Sequence, residues 1–121
     1  MKAPVDIVEE QLQAYNARDL ERFAATYSDS VRIFRMPATE PAIEGKGALN
    51  ETYRKRFSSP GLHADIVGRM VIGNKVIDHE RVHGIKDTPV EAVAVYEIED
   101  GLIETVWFFY PDGKPFPIPQ G

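Results

Sequence analysis

The chain has 121 residues, of which 43% are hydrophobic, and a formal net charge of −5. This length and composition fit one globular domain, and the acidic balance argues against a nucleic-acid partner, which normally requires a basic face. The chain has no cysteine and no apolar run of membrane-spanning length. We therefore expect no disulfide, no Cys-ligated metal and no membrane association, and we expect a cytoplasmic protein.

Two helices are predicted at the start of the chain. Apolar residues recur at three- and four-residue spacing from position 5 to position 15, and Pro4 suits the first helical turn. Asp19 is suited to cap a second helix that extends to Tyr27. The polar residues 28–30 are predicted to end that helix, and residues 31–36 are predicted to form a strand.

A loop and a third helix are predicted next, followed by four strands. The loop covers residues 38–47, and the helix carries Leu49, Tyr53 and Phe57 at helical spacing. β-Branched and aromatic residues then predict strands at 62–72, 75–85, 90–99 and 102–110, with connections short enough for antiparallel hairpins. The proline-rich tail from Pro111 is predicted to lie outside the sheet.

This order of elements predicts an α+β fold. Three helices on one face of a curved, mostly antiparallel sheet would leave a cavity between the two layers. No repeat or linker interrupts the chain, so residues 1–121 are predicted to form a single domain.

Two stretches resemble the nuclear transport factor 2-like superfamily. They are residues 14–20 followed by Tyr27-Ser28-Asp29, and residues 100–109. The superfamily includes steroid delta-isomerase-like, polyketide cyclase-like (SnoaL-like) and limonene epoxide hydrolase-like proteins. The resemblance implies a cone-shaped domain that encloses a pocket for a small apolar or amphipathic molecule. It also implies a homodimer that packs through the outer face of the sheet.

The catalytic carboxylates of these relatives are not matched. The ketosteroid isomerase positions fall on Arg35, Gln11 and Ala94, which lack the required acid–base chemistry. The sequence Glu80-Arg81-Val82-His83 resembles a third-strand motif of the epoxide hydrolases, with Arg81 in place of their arginine. In that comparison His83 and Phe108 replace the two aspartates. Whether the protein is an enzyme therefore stays open.

Residue alternation divides the second of the four strands into two faces. Ile77, His79, Arg81 and His83 share one face, whereas Val76, Asp78, Glu80 and Val82 share the other. The resemblance suggests that the Arg81 face points into the pocket. On that interpretation His83 is the candidate general base, and Arg81 holds a carboxylate or enolate oxygen.

Other residues are predicted to complete the ligand site. They are Ile33 and Arg35 on the first strand, His79 beside Arg81, Tyr15 on the first helix, and Val106, Phe108 and Tyr110 on the last strand. A structural alternative exists for several of them. Asp78, His79, Glu80 and Arg81 would also fit a cross-strand ion-pair ladder, His83 would also fit a structural role, and Tyr15 would also fit the core.

No metal or other cofactor is predicted. His79 and His83 are four residues apart, and on a strand this spacing separates them by about 13 Å, too far to share one metal ion. The leading hypothesis is an isomerase or cyclase that transfers a proton on a small apolar or amphipathic metabolite. The alternatives are a non-catalytic ligand-binding or protein-interaction domain, and an epoxide-hydrolase-like enzyme.

Overall fold

A computed structural model describes residues 2–113. Its helices are α1 (Pro4–Ala17), α2 (Leu20–Ala24) and α3 (Lys46–Arg56). Its strands are β1 (Tyr27–Arg35), β2 (Ile43–Glu44), β3 (His63–Ile72), β4 (Lys75–His83), β5 (Val90–Glu99) and β6 (Leu102–Phe109). Most of the predicted proline-rich tail lies outside the described residues. Within residues 2–113, no helix is long and apolar enough to cross a membrane.

The strands form one six-stranded sheet in the order β2-β1-β6-β5-β4-β3. All neighbouring strands are antiparallel except β1 and β6, which run parallel with Arg35 opposite Phe108. The helices cover one face of this sheet, which we call the inner face. The predicted α+β fold with a mostly antiparallel sheet is therefore confirmed.

The boundary between α2 and β1 differs from the prediction. α2 ends at Ala24, and β1 begins at Tyr27, so the polar residues 28–30 belong to the strand. The hydroxyls of Ser28 and Ser30 both donate to the carboxylate of Glu104 on β6, at 3.2 and 2.9 Å. The register shifts in this segment, as expected for a β-bulge. The polar segment that resembles a helix stop signal is therefore a strand held by cross-strand hydrogen bonds.

The core lies between the helices and the inner face. Its fully buried members come from both layers: Val8, Ala14, Phe23, Tyr27, Val31, Ile33, Leu49, Val76, Ala94, Tyr96, Ile103 and Val106. A second, smaller apolar cluster of Leu62, Ala64 and Val82 packs against Leu12 and Tyr15 of α1. The pocket begins at that point.

Candidate functional site

A pocket lies between α1, α3 and the inner face of the sheet. The space between its walls, including the part that is open to solvent, is about 550 Å³. The walls mix apolar and aromatic side chains with a few polar ones, as is usual for small-molecule sites. The lining residues are Gln11, Leu12, Tyr15, Arg35, Tyr53, Arg56, Ala64, Glu80, Val82, Ile85, Tyr96, Phe108 and Tyr110.

An aromatic cluster supports the helical side of the pocket. The ring of Phe23, on α2, lies 4.6 Å from that of Tyr53 and 5.2 Å from that of Phe57. Tyr15 packs edge-on against Phe57 at 5.4 Å. Such offset and edge-to-face contacts fix ring positions, so Tyr15 and Tyr53 present their pocket surfaces from a packed support.

Glu80 is the buried acid of the pocket. It projects from the inner face of β4 and is only 9% exposed. The Tyr96 hydroxyl donates a hydrogen bond to Glu80 Oε2 at 3.3 Å. Burial, and to a smaller extent the charge of Asp78, raise the pKa of Glu80 to about 8 against the lowering effects of the Tyr96 hydrogen bond and the charge of Arg69. Glu80 is therefore largely protonated at neutral pH.

Two arginines provide positive charge at the same pocket. Arg35 stands at the end of β1 and is buried, and Arg56 stands at the end of α3. Burial raises the pKa of Tyr110 to about 12, and the charge of Arg35 partly offsets this shift. Burial also raises the pKa of Tyr53, against the charges of Arg56 and Arg35. The two arginines thus lower the pKa of these two pocket tyrosines relative to burial alone. They place positive charge at this pocket although the formal net charge of the protein is −5.

The predicted orientation of β4 is wrong. The inner face carries Val76, Asp78, Glu80 and Val82, and the outer face carries Ile77, His79, Arg81 and His83. Small residues explain the arrangement, because Ala94 and Ala92 on β5 lie opposite Asp78 and Glu80 and leave room for the two carboxyl groups. Two valines on the same face as those acids also favour burial of that face.

The two residues predicted to do chemistry therefore lie outside the pocket. Arg81 is exposed on the outer face. His83 Nε2 lies 3.1 Å from Asp65 Oδ2, and His63 Nε2 lies 3.0 Å from Asp65 Oδ1. Hydrogen bonding to His83, and then to His63, lowers the pKa of Asp65. His79 similarly contacts Glu91. Of the ion-pair ladder predicted as the structural alternative, His79 makes a cross-strand contact on this surface, whereas Asp78 and Glu80 face inward.

The remaining predicted site residues divide into two groups. Tyr15, Arg35, Phe108 and Tyr110 line the pocket. Ile33 and Val106 face inward as expected, but they are fully buried in the core and do not line the pocket.

The sequence interpretation did not assign a role to four pocket residues: Gln11, Arg56, Glu80 and Tyr96. Gln11 occupies the aligned position of the isomerase tyrosine, and its amide Nε2 donates to the Tyr27 hydroxyl at 3.1 Å. Glu80 was placed on the correct face relative to Val76 and Val82. Those two valines were the signal that this face is the buried one.

Metal ligation finds no support in the part of the chain that the structure describes. Within residues 2–113, no group of three or more His, Asp or Glu side chains is arranged to hold a metal ion.

Comparison with known proteins places the chain in a family. Residues 8–106 match the family model of the SnoaL-like domain. No curated protein matches the chain. Among solved structures, an uncharacterised cystatin-fold protein from Novosphingobium aromaticivorans superposes with a TM-score of 0.82 at 23% identity, covering 90% of this chain and 99% of that one.

Two further structures carry names that suggest enzymes. A candidate polyketide cyclase from Sinorhizobium meliloti has a TM-score of 0.74 at 20% identity, covering 85% of this chain and 93% of that one. A candidate ketosteroid isomerase from Kribbella flavida has a TM-score of 0.76 at 22% identity, covering 98% and 83%. At these identities the likeness shows the fold alone. The chain belongs to the SnoaL-like domain family of the nuclear transport factor 2-like superfamily.

Proposed function

We propose that this protein is an enzyme of the isomerase or cyclase kind, in which Glu80 transfers a proton within the pocket. The substrate is a small apolar or amphipathic molecule with a carbonyl or acidic oxygen. One observation carries the proposal: a carboxyl group is buried at a pocket with apolar and aromatic walls, and its pKa is raised to about 8, mainly by burial. Perturbed carboxyl groups in pockets are typical of acid–base catalysts.

The raised pKa suits transfer in both directions. A catalytic group whose pKa lies near the working pH has both its acidic and its basic form available. The ionised Glu80 removes a proton from the carbon beside a carbonyl group, and the electron pair moves onto the carbonyl oxygen to give an enolate. The protonated Glu80 then returns that proton to a different carbon, so that an isomerisation is balanced without any other reactant.

The arginines complete the proposed chemistry. Arg35 and Arg56 line the same pocket as Glu80, and fixed positive charge stabilises a developing oxygen anion. Phe108, Val82 and Leu12 give the apolar walls that hold the body of the ligand. This arrangement favours a ligand with an apolar body and an oxygen-bearing head.

Hydrogen–deuterium exchange beside a carbonyl group tests the proposal before the natural substrate is known. Cyclic ketones, β-keto acids and polyketide-like phenols are first screened by thermal shift, and the compounds that stabilise the protein are incubated with it in D₂O. Proton NMR then follows the loss of the signal beside the carbonyl group. We expect wild type to catalyse exchange and Glu80→Gln to reduce it at least about 100-fold, within the usual range for general acid–base catalysis.

The matched control is His83→Gln, on the outer face of the same strand, which should retain full exchange. Loss of exchange in His83→Gln with retention in Glu80→Gln would overturn the proposal. If the stabilising compounds undergo no exchange with wild type, the pocket is a binding site only, and the non-catalytic alternative is correct.

We also propose a second copy of the chain as the partner of the outer face. A row of apolar residues crosses five neighbouring strands in register: Met70, Ile77, Val95, Trp107 and Phe34. Met70 is 62% exposed, and the rings of Phe34 and Trp107 stack at 6.4 Å. A continuous apolar stripe of this kind is typical of an interaction surface. A two-fold axis through the row would bring the same apolar residues of both subunits together.

Sedimentation equilibrium tests this partner. We expect a dimer for wild type and a folded monomer for Val95→Glu, because the charge would be placed at the centre of the row. Val71→Glu is the control, since Val71 is exposed on the inner side of β3 at its pairing with Val76. A monomeric wild type would refute the proposal.

A further inference from the structure

Two buried carboxyl groups lie side by side on the inner face of β4. Asp78 is 1% exposed and Glu80 is 9% exposed. Residues two apart on a strand share a face at a separation of roughly 7 Å. At this range each charge affects the ionisation of the other group, because little water lies between them.

The two carboxyl groups have very different partners. Asp78 accepts two hydrogen bonds from one guanidinium, with its Oδ1 2.6 Å from Arg69 Nε and its Oδ2 2.9 Å from Arg69 Nη2. Arg69 Nη1 donates to Glu9 on α1 at 2.8 Å. Glu80, by contrast, accepts one hydrogen bond, from the Tyr96 hydroxyl. The nearby cation is thus bound by Asp78 and Glu9.

The Arg69 guanidinium hydrogen-bonds to Asp78 and Glu9 rather than to Glu80. A bidentate Arg–carboxylate pair fixes both partners in one plane, so the guanidinium that grips Asp78 is held in that orientation. The bridge to Glu9 holds it from the other side. Glu80 therefore shares the inner face of β4 with the Asp78 carboxylate, and the guanidinium that could compensate both charges is hydrogen-bonded to Asp78 and Glu9.

We propose that Asp78 and Arg69 are positioning residues for Glu80: Asp78 holds the cation away from Glu80 and places a fixed negative charge beside it, so that Glu80 is the group that keeps the transferable proton. This inference rests on the function proposed above, and it adds residues that do not touch the substrate. The electrostatics agree in direction, since the charge of Asp78 raises the pKa of Glu80 and that of Arg69 lowers it.

The other titratable and charged groups around Glu80 are tyrosines, arginines and Asp78. From the elements packed around it, the titratable or charged groups are Tyr15 of α1, Tyr27 and Arg35 of β1, Tyr53 and Arg56 of α3, Arg69 of β3, Asp78 of β4, Tyr96 of β5, and Tyr110 after β6. The pKa values of Tyr15, Tyr27, Tyr53, Tyr96 and Tyr110 are raised, so these phenols stay neutral near pH 8. Asp78 is the carboxylate in this set that can act on Glu80.

Carbon-13 NMR of the side-chain carboxyl groups tests the proposal without a substrate. Glu80 is assigned by comparison with Glu80→Gln, and its titration is followed from pH 4 to pH 10 in wild type and Asp78→Asn. Asparagine has the shape of aspartate but no charge, and it frees the guanidinium. We expect the pKa of Glu80 to fall by at least about one unit in this variant.

The variant Arg69→Gln should have the opposite effect. Without the cation, the two carboxylates repel each other more strongly, so the higher apparent pKa of the pair should rise above its wild-type value. A purely structural disturbance would move both variants in the same direction, toward the ordinary carboxyl range. Each variant gives a sign of its own, so failure of one to fold leaves the other decisive.

The control is Glu91→Gln. Glu91 is one residue from Ala92, the cross-strand partner of Glu80, but it lies on the outer face with His79. The Glu91→Gln variant removes one negative charge as Asp78→Asn does, but the pKa of Glu80 should not change. Equal shifts in both variants would refute a specific role for Asp78.

The outcomes separate the two proposals. If Glu80 of wild type titrates in the ordinary carboxyl range, the proposed function itself loses its basis. If the wild-type pKa is raised but Asp78→Asn leaves it unchanged, the function stands and the positioning role is wrong.

Discussion

Replacing Glu80 with glutamine should change how the stability of the protein depends on pH. The pKa of Glu80 is raised from an ordinary value of 4.5 to about 8, mainly by burial. Between these two values the folded protein holds a proton that the unfolded chain has released. The free energy of unfolding therefore falls as the pH rises, by about 1.4 kcal/mol per pH unit.

The accumulated effect is large for a domain of this size. From pH 5 to pH 8 the loss from Glu80 is roughly 3 to 4 kcal/mol, out of a total stability of about 5 to 15 kcal/mol for a typical domain. Glutamine resembles the protonated acid and can still accept from Tyr96, but it does not ionise. The variant should therefore match wild type near pH 5 and become increasingly more stable than wild type toward pH 8.

Urea denaturation at four pH values between 5 and 8 measures this difference. Titrating groups distant from Glu80 contribute equally to the two proteins, so their contributions cancel when the unfolding free energies are subtracted. Equal m values would show that both proteins unfold from equally compact states. A difference that stays flat within about 0.5 kcal/mol across this range would refute the raised pKa, and with it the proposed chemistry.

Three further substitutions test the framework around the pocket. Gly84→Ala should destabilise the fold by about 3 kcal/mol or more, because φ is +91° and an added Cβ would lie 2.5 Å from the carbonyl carbon of Gly61. Gly73→Ala, at φ +57° with open space, should lose only about 1 kcal/mol, and equal losses would contradict the steric argument. Asn16→Ala should lose about 2 kcal/mol in chemical denaturation, because the Asn16 amide accepts from the Ala64 N–H at 2.8 Å and donates to the Ala64 carbonyl at 3.0 Å. An unchanged midpoint would show that this tie between α1 and β3 is not stabilising.

Most of the fold was predictable because its signals are local. Helical spacing marked α1 and α3, Asp19 marked the start of α2, and short polar turns marked the three hairpins of the sheet. The α2–β1 boundary was mispredicted because the hydroxyls of residues 28–30 bond to Glu104, which is distant in sequence. Nothing in the local pattern distinguishes that use of serine from a helix stop.

The candidate site was harder, because alternation gives two faces of a strand without saying which is buried. β4 carries charged residues on both faces, and the resemblance of its sequence to the epoxide hydrolases favoured the Arg81 face. The choice is decided by distant residues: Arg69 from β3 compensates Asp78, and two alanines of β5 make room for the acids. Tyr15, Arg35, Phe108 and Tyr110 were placed correctly because the superfamily resemblance located their elements relative to the cavity.

The parallel pairing of β1 with β6 affects the order in which the sheet assembles while the chain is being synthesised. β6 is the last strand of the described chain, and along most of its length β1 has no other long partner, since β2 contributes only Ile43–Glu44. During synthesis the hairpins of β3, β4 and β5 can form as they emerge, whereas β1 must wait for β6. Arg35 at the end of β1 faces Phe108 of β6, so this side of the pocket is assembled last. A ribosome stalled before residue 102 would therefore hold a nascent chain with an unpaired strand edge, the kind of surface that chaperones recognise.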